Sequence, residues 1–524
     1  MPQGLNRVMN LGNLLAQTAA KYPSLPGLIQ AERCYSWSSI NARVDALANH
    51  LRARGVGPGD RILAQLPNGL PLFESAFASF KLGAVWVPVN FRLSPPEIAS
   101  IAVSCGAALM LTQSQFDEHA ACVQGAVAGV QLLRADGEVY ETIANERLAQ
   151  PFAAAQVSYS HPLWFFFTSG TTGKPKAAVL THGQMAFVIT NHLADLLPGL
   201  TQQDRSLVLA PLSHGAGIHA LVNVARGAAS VLLAGDSLDC EAAYAAIQRH
   251  RVSNLFSVPT ILKRLAEDPA ADRYDHTSLK HVIYAGAPMH RADQERALAK
   301  LGAVLVQYFG LGEVTGSITV LRADEHLEGS GALLDTCGTA RTGLEVAVLD
   351  EQCRPVATGV QGEICTRGPA VFAGYWDNPE ANEKAFRGGW FHTGDLGTMD
   401  DRGFVRITGR SSDMYISGGS NVYPREIEEV LLTLDGVGEA AVFGIPHETW
   451  GEIGVALLVP SFEGAQLSEQ VVLEHLAGRL AKYKWPRIIQ VWGSLPKSAY
   501  GKIAKKDLRA EYLLRMRSAD GVAA

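Results

Sequence analysis

The sequence predicts an α/β protein. A large N-terminal domain carries parallel-type sheets layered by helices and then a small β-barrel or sheet, and a smaller α+β domain follows. Three observations carry this reading. Short apolar runs of strand length alternate with segments of helical period through the first part of the chain, the pattern of a mostly parallel sheet covered on both faces. From Gly338 onward, short strands and turn residues replace that alternation. Near Gly409-Arg410-Ser411-Ser412-Asp413 the pattern restarts with enough chain left for a further α+β unit. Residues 1–409 and 410–524 are therefore expected as separate domains.

Taken in order, apolar spacing predicts helices over residues 10–22 and 40–51 with a small hairpin between them, and the glycines near position 55 end the second helix. A strand at 60–66, a helix at 71–83, a strand at 84–88 and a helix beginning near Ser94, with Glu97 three residues on, continue the alternation. The chain has 524 residues, 47% of them hydrophobic, enough for a large core. Its formal net charge of −6 and the lack of a long Lys/Arg run argue against a nucleic-acid binder. No apolar stretch approaches the roughly 18 residues that span a membrane. The first residues lack the long apolar segment of a signal peptide. Seven cysteines without a C-x-x-C predict free thiols in a reducing compartment, hence a cytoplasmic enzyme.

The chemistry centres on WFFFTSGTTGKPKAAVLTHGQ, beginning at Trp164. Trp164-Phe165-Phe166-Phe167 reads as a strand buried on both faces, and Thr181 as the N-cap of the following helix. Between them lies a loop containing Thr168, Ser169, Gly170, Thr171, Thr172, Gly173 and Lys176. Such a loop can turn backbone N–H groups, hydroxyls and ammonium groups toward phosphate oxygens. The spacing is too short for a Walker loop, and Pro175 stands where the magnesium-binding hydroxyl would be. The loop is expected to join two strands and to bind the outer phosphates of a nucleotide triphosphate.

Further along, His214 and His219 lie among small residues. With no suitable third ligand nearby they do not make a metal site; His214 reads as the polar lip of a substrate pocket and His219 as a buried histidine. Strands at 282–285 and 304–307 end at Gly286-Ala287-Pro288 and Tyr308-Phe309-Gly310-Leu311-Gly312-Glu313. Ligands bind at the carboxyl ends of strands in such sheets, so both ends are expected to face the phosphate loop. Glu313 is either a magnesium carboxylate or a surface residue at a helix start. Asp395, between turn glycines, is placed to accept two hydrogen bonds from a ribose diol. Lys502 follows Gly501 in a loop and by itself reads as a solvated lysine.

The segments TSGTTGKPK, PLSHGAG, YAGAP, FGLGE, WFHTGDLG, GRSSDMYISGGSNVYPREIE and PKSAYGK stand in one order along nearly the whole chain. Together they resemble the acyl- and aryl-CoA ligase branch of the adenylate-forming superfamily. The resemblance implies that a carboxylic acid and ATP give acyl-AMP and pyrophosphate, and that the acyl group then passes to the thiol of coenzyme A. It implies that Gly286, Ala287, Pro288, Gln307, Tyr308 and Phe309 surround the adenine, with Phe309 stacking on it, and that Gly310 and Gly312 also belong to the nucleotide site. Asp395 and Arg410 would hold the ribose, Glu313 the Mg²⁺, and Lys502 would bridge the acid and the α-phosphate. It further implies a mobile C-terminal domain hinged near residues 411–413, with Gly418 and Gly419 lining the pantetheine path and Trp450 and Tyr483 near the CoA nucleotide.

The chain departs from that family where Tyr and Thr give way to Phe309 and Gly312, where the hinge carries Ser412, and where Ala177 replaces a glycine. At Gly312, either adenylation leans more on Lys502 and Mg²⁺ or the space admits part of the substrate. The pocket segments, which include His214, Gly215, Val258, Ala285 and Leu311, carry small and apolar residues and no Arg or Lys. A buried second carboxylate would there be unpaired, so an apolar aliphatic or aromatic monocarboxylate is expected. Two other functions stay open from the residues: an adenylating enzyme with a carrier-protein or amine acceptor, and a non-catalytic nucleotide binder.

Overall fold

The computed structural model of the chain describes residues 7–145, 150–168, 175–235, 238–287, 289–417, 420–462, 464–497, 503 and 505–520. It divides into two compact units, one of residues 1–288, 295–346 and 366–391, the other of residues 289–294, 347–365 and 392–524.

The first unit holds two large sheets. One has six strands in the order Gln131–Arg134, Leu109–Thr112, Arg61–Ala64, Val85–Pro88, Pro162–Thr168 and Lys176–Thr181. All pairs are parallel except the last, which is antiparallel with Thr168 opposite Lys176. The predicted phosphate loop therefore joins two adjacent strands, and no helix begins within its described ends. The other sheet has nine strands and runs from Thr339–Ala340 at one edge to Arg33–Ser36 at the other. His281–Tyr284 and Leu305–Phe309 are neighbours in its parallel centre, so the two predicted strand ends open on the same side.

Local sequence explains these elements. Successive side chains of a strand point to opposite faces. Accordingly Trp164 and Phe166 enter the large core cluster, with Trp86 and Leu180, while Phe165 packs with Val85, Val87 and Val179 on the other face. Thr181 caps the helix His182–Asp195 by accepting from the Gln184 N–H, and Gln184 returns the bond to the Thr181 N–H. Ser94 and Glu97 form the same reciprocal pair at the start of Pro95–Cys105. The expected hairpin is Pro26–Gln30 with Arg33–Ser36.

Among the short strands after Gly338, four form one sheet, in the order Glu345–Leu349, Gly362–Arg367, Phe391–Met399 and Val405–Arg410. In the second unit, Ser420–Val422, Tyr415–Ser417, Gly451–Pro460 and Val437–His447 make an antiparallel sheet, with Ile488–Val491 pairing parallel to Gly451–Pro460. The helix Pro424–Leu431 buries Ile427 and Leu431 against Val442, Ala456 and Leu458 of that sheet. Among the described residues no helix is long and apolar enough to cross a membrane.

Candidate active site

The hairpin that carries the predicted phosphate loop ends beside a buried carboxylate. Glu313 sits on a single turn, Gly312–Val314, just past the central strand Leu305–Phe309, and is only 4% exposed. Its Oε1 accepts from the Tyr375 hydroxyl at 2.9 Å and from Thr168 Oγ1 at 3.2 Å. Lys176, at the other foot of the loop, holds its ammonium 5.3 Å from the centre of the Tyr375 ring. Burial and the Glu313 charge both push the Tyr375 phenol upward, so it stays a protonated donor. A buried charge needs partners, and two hydroxyls supply them. Carboxylate and hydroxyl oxygens are also the hard donors that Mg²⁺ takes, so the residues present fit that ion.

Tyr375 escaped the sequence reading. Its segment is held by backbone bonds to the strand Lys176–Thr181, with Val179 N–H donating to Gly374 and Trp376 N–H to Ala177. Nothing in the local sequence around Gly374-Tyr375-Trp376 signals a partner 62 positions away.

Gly312 has a definite reason. A β-carbon there would lie 2.6 Å from the Phe166 ring and 3.1 Å from the Thr168 methyl. The idea that this glycine leaves room for substrate is therefore corrected: Phe166, a buried residue of the loop-bearing strand, fills the space. Gly310 is equally constrained, since a β-carbon would meet the Gly316 backbone at 2.5 Å.

The candidate acyl wall forms from several elements of the same unit. His214 is half-buried with its ring 4.5 Å from Phe166, and Gly215 starts the helix Gly215–Arg226 against Phe256. Val258 and Leu311 are half-buried and Ala285 is buried. Behind them, Phe256 lies nearly parallel to His219, at 4.6 Å, and to Tyr308, at 6.0 Å, and His219 is 6.1 Å from Tyr308, so the three rings form a triangle. His219 is the buried histidine expected, and burial drives its pKa to about 3, so it is neutral. Tyr308 thus turns its ring into this cluster, while Phe309 is half-buried at the strand end.

A cation does approach this region, from a turn outside the pocket segments. Arg341 is fully buried, with its guanidinium against Asp195 at 3.4 Å, the Gly316 carbonyl and Ser317 Oγ at 3.3 Å, and His192 at 3.3 Å. Burial lowers its pKa to about 10, which leaves it charged and compensated by Asp195. Arg341 lies outside the pocket segments in the chain and joins them only through the fold.

In the second unit, Asp395 is 4% exposed and accepts from Arg410 Nε at 2.8 Å across the paired strands Phe391–Met399 and Val405–Arg410. Burial raises the Asp395 pKa and Arg410 opposes it. Ser411 donates its N–H to the Gly394 carbonyl, and Asp413 its N–H to Arg410, so residues 410–413 form a compact turn beside Asp395. Trp450 and Tyr483 are both exposed aromatics, and the Arg487 guanidinium lies 4.9 Å over the Trp450 ring. Gln307 is buried beside Tyr284, Gly286 is exposed and Ala287 half-buried at the strand end. Ser169, Gly170, Thr171, Thr172, Gly173, Pro288, Gly418, Gly419 and Lys502 lie outside the described residues.

A mostly parallel sheet whose terminal hairpin sets Thr168 against a buried carboxylate, in a chain that continues into an α+β unit, is the arrangement of an adenylate-forming class of enzyme. Comparison with known families agrees. Residues 15–376 match the family model for AMP-binding enzymes, and residues 426–502 match that for the AMP-binding enzyme C-terminal domain. The chain is 34% identical over 508 residues to a feruloyl-CoA synthase of Amycolatopsis sp, covering 97% of this chain and 100% of that protein. It is 31% identical to an indoleacetate–CoA ligase of Aromatoleum aromaticum, covering 96% and 98%. The crystal structure of ATP-bound MatB from Rhodopseudomonas palustris superposes with a TM-score of 0.87 at 30% identity, over 96% of this chain and 99% of that one. The chain belongs to the AMP-binding enzyme family, in its acyl- and aryl-CoA ligase branch. Its reaction is ATP-dependent ligation of a carboxylic acid to CoA through an acyl-AMP.

Proposed function

We propose that the acid is an apolar aliphatic or aromatic monocarboxylate. The cluster of His219, Phe256 and Tyr308 behind Gly215 supports this reading, because it gives the wall a neutral, largely aromatic surface. Arg341 does not alter that surface, since its charge is compensated by Asp195 and its guanidinium also donates to the Gly316 carbonyl and Ser317 Oγ. Relatives acting on ferulate and indoleacetate fit the same wall.

Adenylation requires a carboxylate to attack the α-phosphorus against charge repulsion. In our reading Thr168, Lys176 and the loop between them hold the outer phosphates, Asp395 and Arg410 hold the ribose, and Phe309 faces the adenine. Glu313, oriented by Tyr375 and Thr168, would hold Mg²⁺, which when bound neutralises phosphate charge. Lys502 contributes its ammonium to the carboxylate and the α-phosphate. Thioester formation needs that lysine withdrawn, and the turn at 411–413 is the hinge that exchanges it for Gly418 and Gly419, with Trp450 and Tyr483 toward the CoA nucleotide. Seven free cysteines support a reducing, cytoplasmic location.

The observation that carries the acid assignment is the neutral cluster of His219, Phe256 and Tyr308 behind Gly215. Purified protein tested against a panel of acids for CoA-dependent AMP formation should turn over apolar monocarboxylates at least tenfold faster than dicarboxylates of similar length. A preference for dicarboxylates would contradict an apolar wall and require a cation in the pocket.

A further inference from the structure

A second cluster of ligating side chains lies on the four-stranded sheet, outside the residues assigned above to the ligation. Glu363 and Cys365 are two residues apart on the strand Gly362–Arg367, so they share a face, and His392 is on the adjacent strand Phe391–Met399. The His392 Nδ1 lies 2.7 Å from Glu363 Oε2 and 3.4 Å from Cys365 Sγ. One ligand atom from each of the three falls within 4.8 Å of the others, the sole such group of three among the described residues. The opposite ring nitrogen, Nε2, lies 3.7 Å from Cys353 Sγ. Cys353 holds a left-handed backbone with φ of 59°, a conformation uncommon for a residue with a β-carbon, and it presents its thiol to the imidazole from a turn. Cys365 is fully buried and, like Cys353, forms no disulfide.

We propose that Glu363, Cys365 and His392 form a binding site for a divalent cation of the zinc class, apart from the Mg²⁺ chemistry of the ligation. A tetrahedral ion with bonds of about 2.0–2.1 Å to nitrogen and oxygen and about 2.3 Å to sulfur sets its nitrogen and sulfur ligands roughly 3.5 Å apart. The Nδ1 to Sγ separation already has that value to within about 0.2 Å. Nitrogen and oxygen ligands stand roughly 3.3 Å apart around such an ion, so Glu363 and His392 separate by about 0.6 Å as their hydrogen bond gives way to two metal bonds. On binding, the Cys365 thiol releases its proton to solvent and the imidazole proton resides on Nε2, where it donates to Cys353 Sγ. Thiolate, carboxylate and cation then sum to zero charge, which suits a buried site. Glu363 binds through Oε2 alone, because its Oε1 accepts the Gly394 N–H at 2.9 Å and holds the turn before Asp395. A thiolate ligand favours zinc and cobalt and disfavours magnesium.

Metal-stripped full-length protein titrated with Co²⁺ tests this by absorption. One equivalent per chain should develop a thiolate-to-cobalt charge-transfer band with the intense visible bands of tetrahedral cobalt, and Zn²⁺, but not Mg²⁺, should remove them. Cys365→Ser should abolish the charge-transfer band, His392→Gln should weaken binding at least tenfold, and Cys34→Ser should leave both unchanged. The two site variants are independent, so loss of fold in one leaves the other as the test. No charge-transfer band at one equivalent, a band of equal size in a folded site variant, or cobalt that Zn²⁺ cannot displace would each overturn the proposal.

Discussion

Gly312 and Phe166 share one space: a β-carbon at position 312 would stand 2.6 Å from the Phe166 ring, a buried side chain of the strand that leads into the phosphate loop. The two residues therefore constrain each other, and through them the Glu313 turn is set against the strand Pro162–Thr168.

Gly312→Thr should accordingly disrupt rather than restore. Overpacking a filled core commonly costs about 1–3 kcal/mol. The variant is expected to lose that much in chemical denaturation and to adenylate all acids more slowly. Phe166→Leu in the same chain should recover most of the stability. Wild-type stability in the single variant would show that the ring moves aside freely.

Tyr375→Phe removes one donor from Glu313 and keeps the ring under Lys176. A hydrogen bond to a charged group is worth about 1.5–3 kcal/mol, so adenylation should slow roughly ten- to a hundred-fold. The Mg²⁺ concentration for half-maximal rate should also rise. Single-turnover acyl-AMP formation across a Mg²⁺ series checks this, and an unchanged curve would place Tyr375 outside the site.

How much of this was legible in the sequence follows the range of the interactions. The Thr181 cap, the doubly buried Trp164–Phe166 run and the strand–loop–strand form of the predicted phosphate segment depend on neighbours within a few positions, and each was readable, although Phe167 is only half-buried. Tyr375 and Arg341 act over long separations: Tyr375 reaches Glu313 only because its segment lies beside Lys176–Thr181, and Arg341 reaches Ser317 from 24 positions away. Gly312 could be seen as a departure from the family, but its cause lay in a ring 146 positions earlier, which only packing reveals.

Asp395→Ala should weaken ATP binding with little loss of fold, because its partner Arg410 is half-exposed and can be solvated. Hydrogen bonds to the ribose act in ground and transition states alike. Charge-assisted bonds of about 1.5–3 kcal/mol correspond to a rise in the KM for ATP of roughly ten- to a few hundred-fold. Unchanged ATP affinity measured directly would remove Asp395 from the ribose site.

Stability should fall as the solution is acidified below pH 6.5. Burial holds His182 and His219 at a pKa of about 3 and His326 at about 4, and holds His192 far below its ordinary 6.5. The unfolded chain binds protons at these histidines near pH 6.5 and the folded chain refuses them, so folding loses free energy from there down to pH 4 or 3. Each histidine contributes a slope of about 1.4 kcal/mol per pH unit in that window. Urea midpoints measured from pH 7.5 to 5 should decline once pH passes below 6.5, and a flat profile would mean these imidazoles take up protons in the folded state.

Lys502→Ala separates the two half-reactions in one enzyme. Acid-dependent exchange of labelled pyrophosphate into ATP follows adenylation, and reaction of supplied acyl-AMP with CoA follows thioester formation. Removing one electrostatic group that acts on a charge-rearranging step commonly costs about 10²–10³-fold. The exchange should fall by that factor, while supplied acyl-AMP should still acylate CoA at nearly the wild-type rate. Equal loss of both reactions in a folded variant, or loss of neither, would contradict the account.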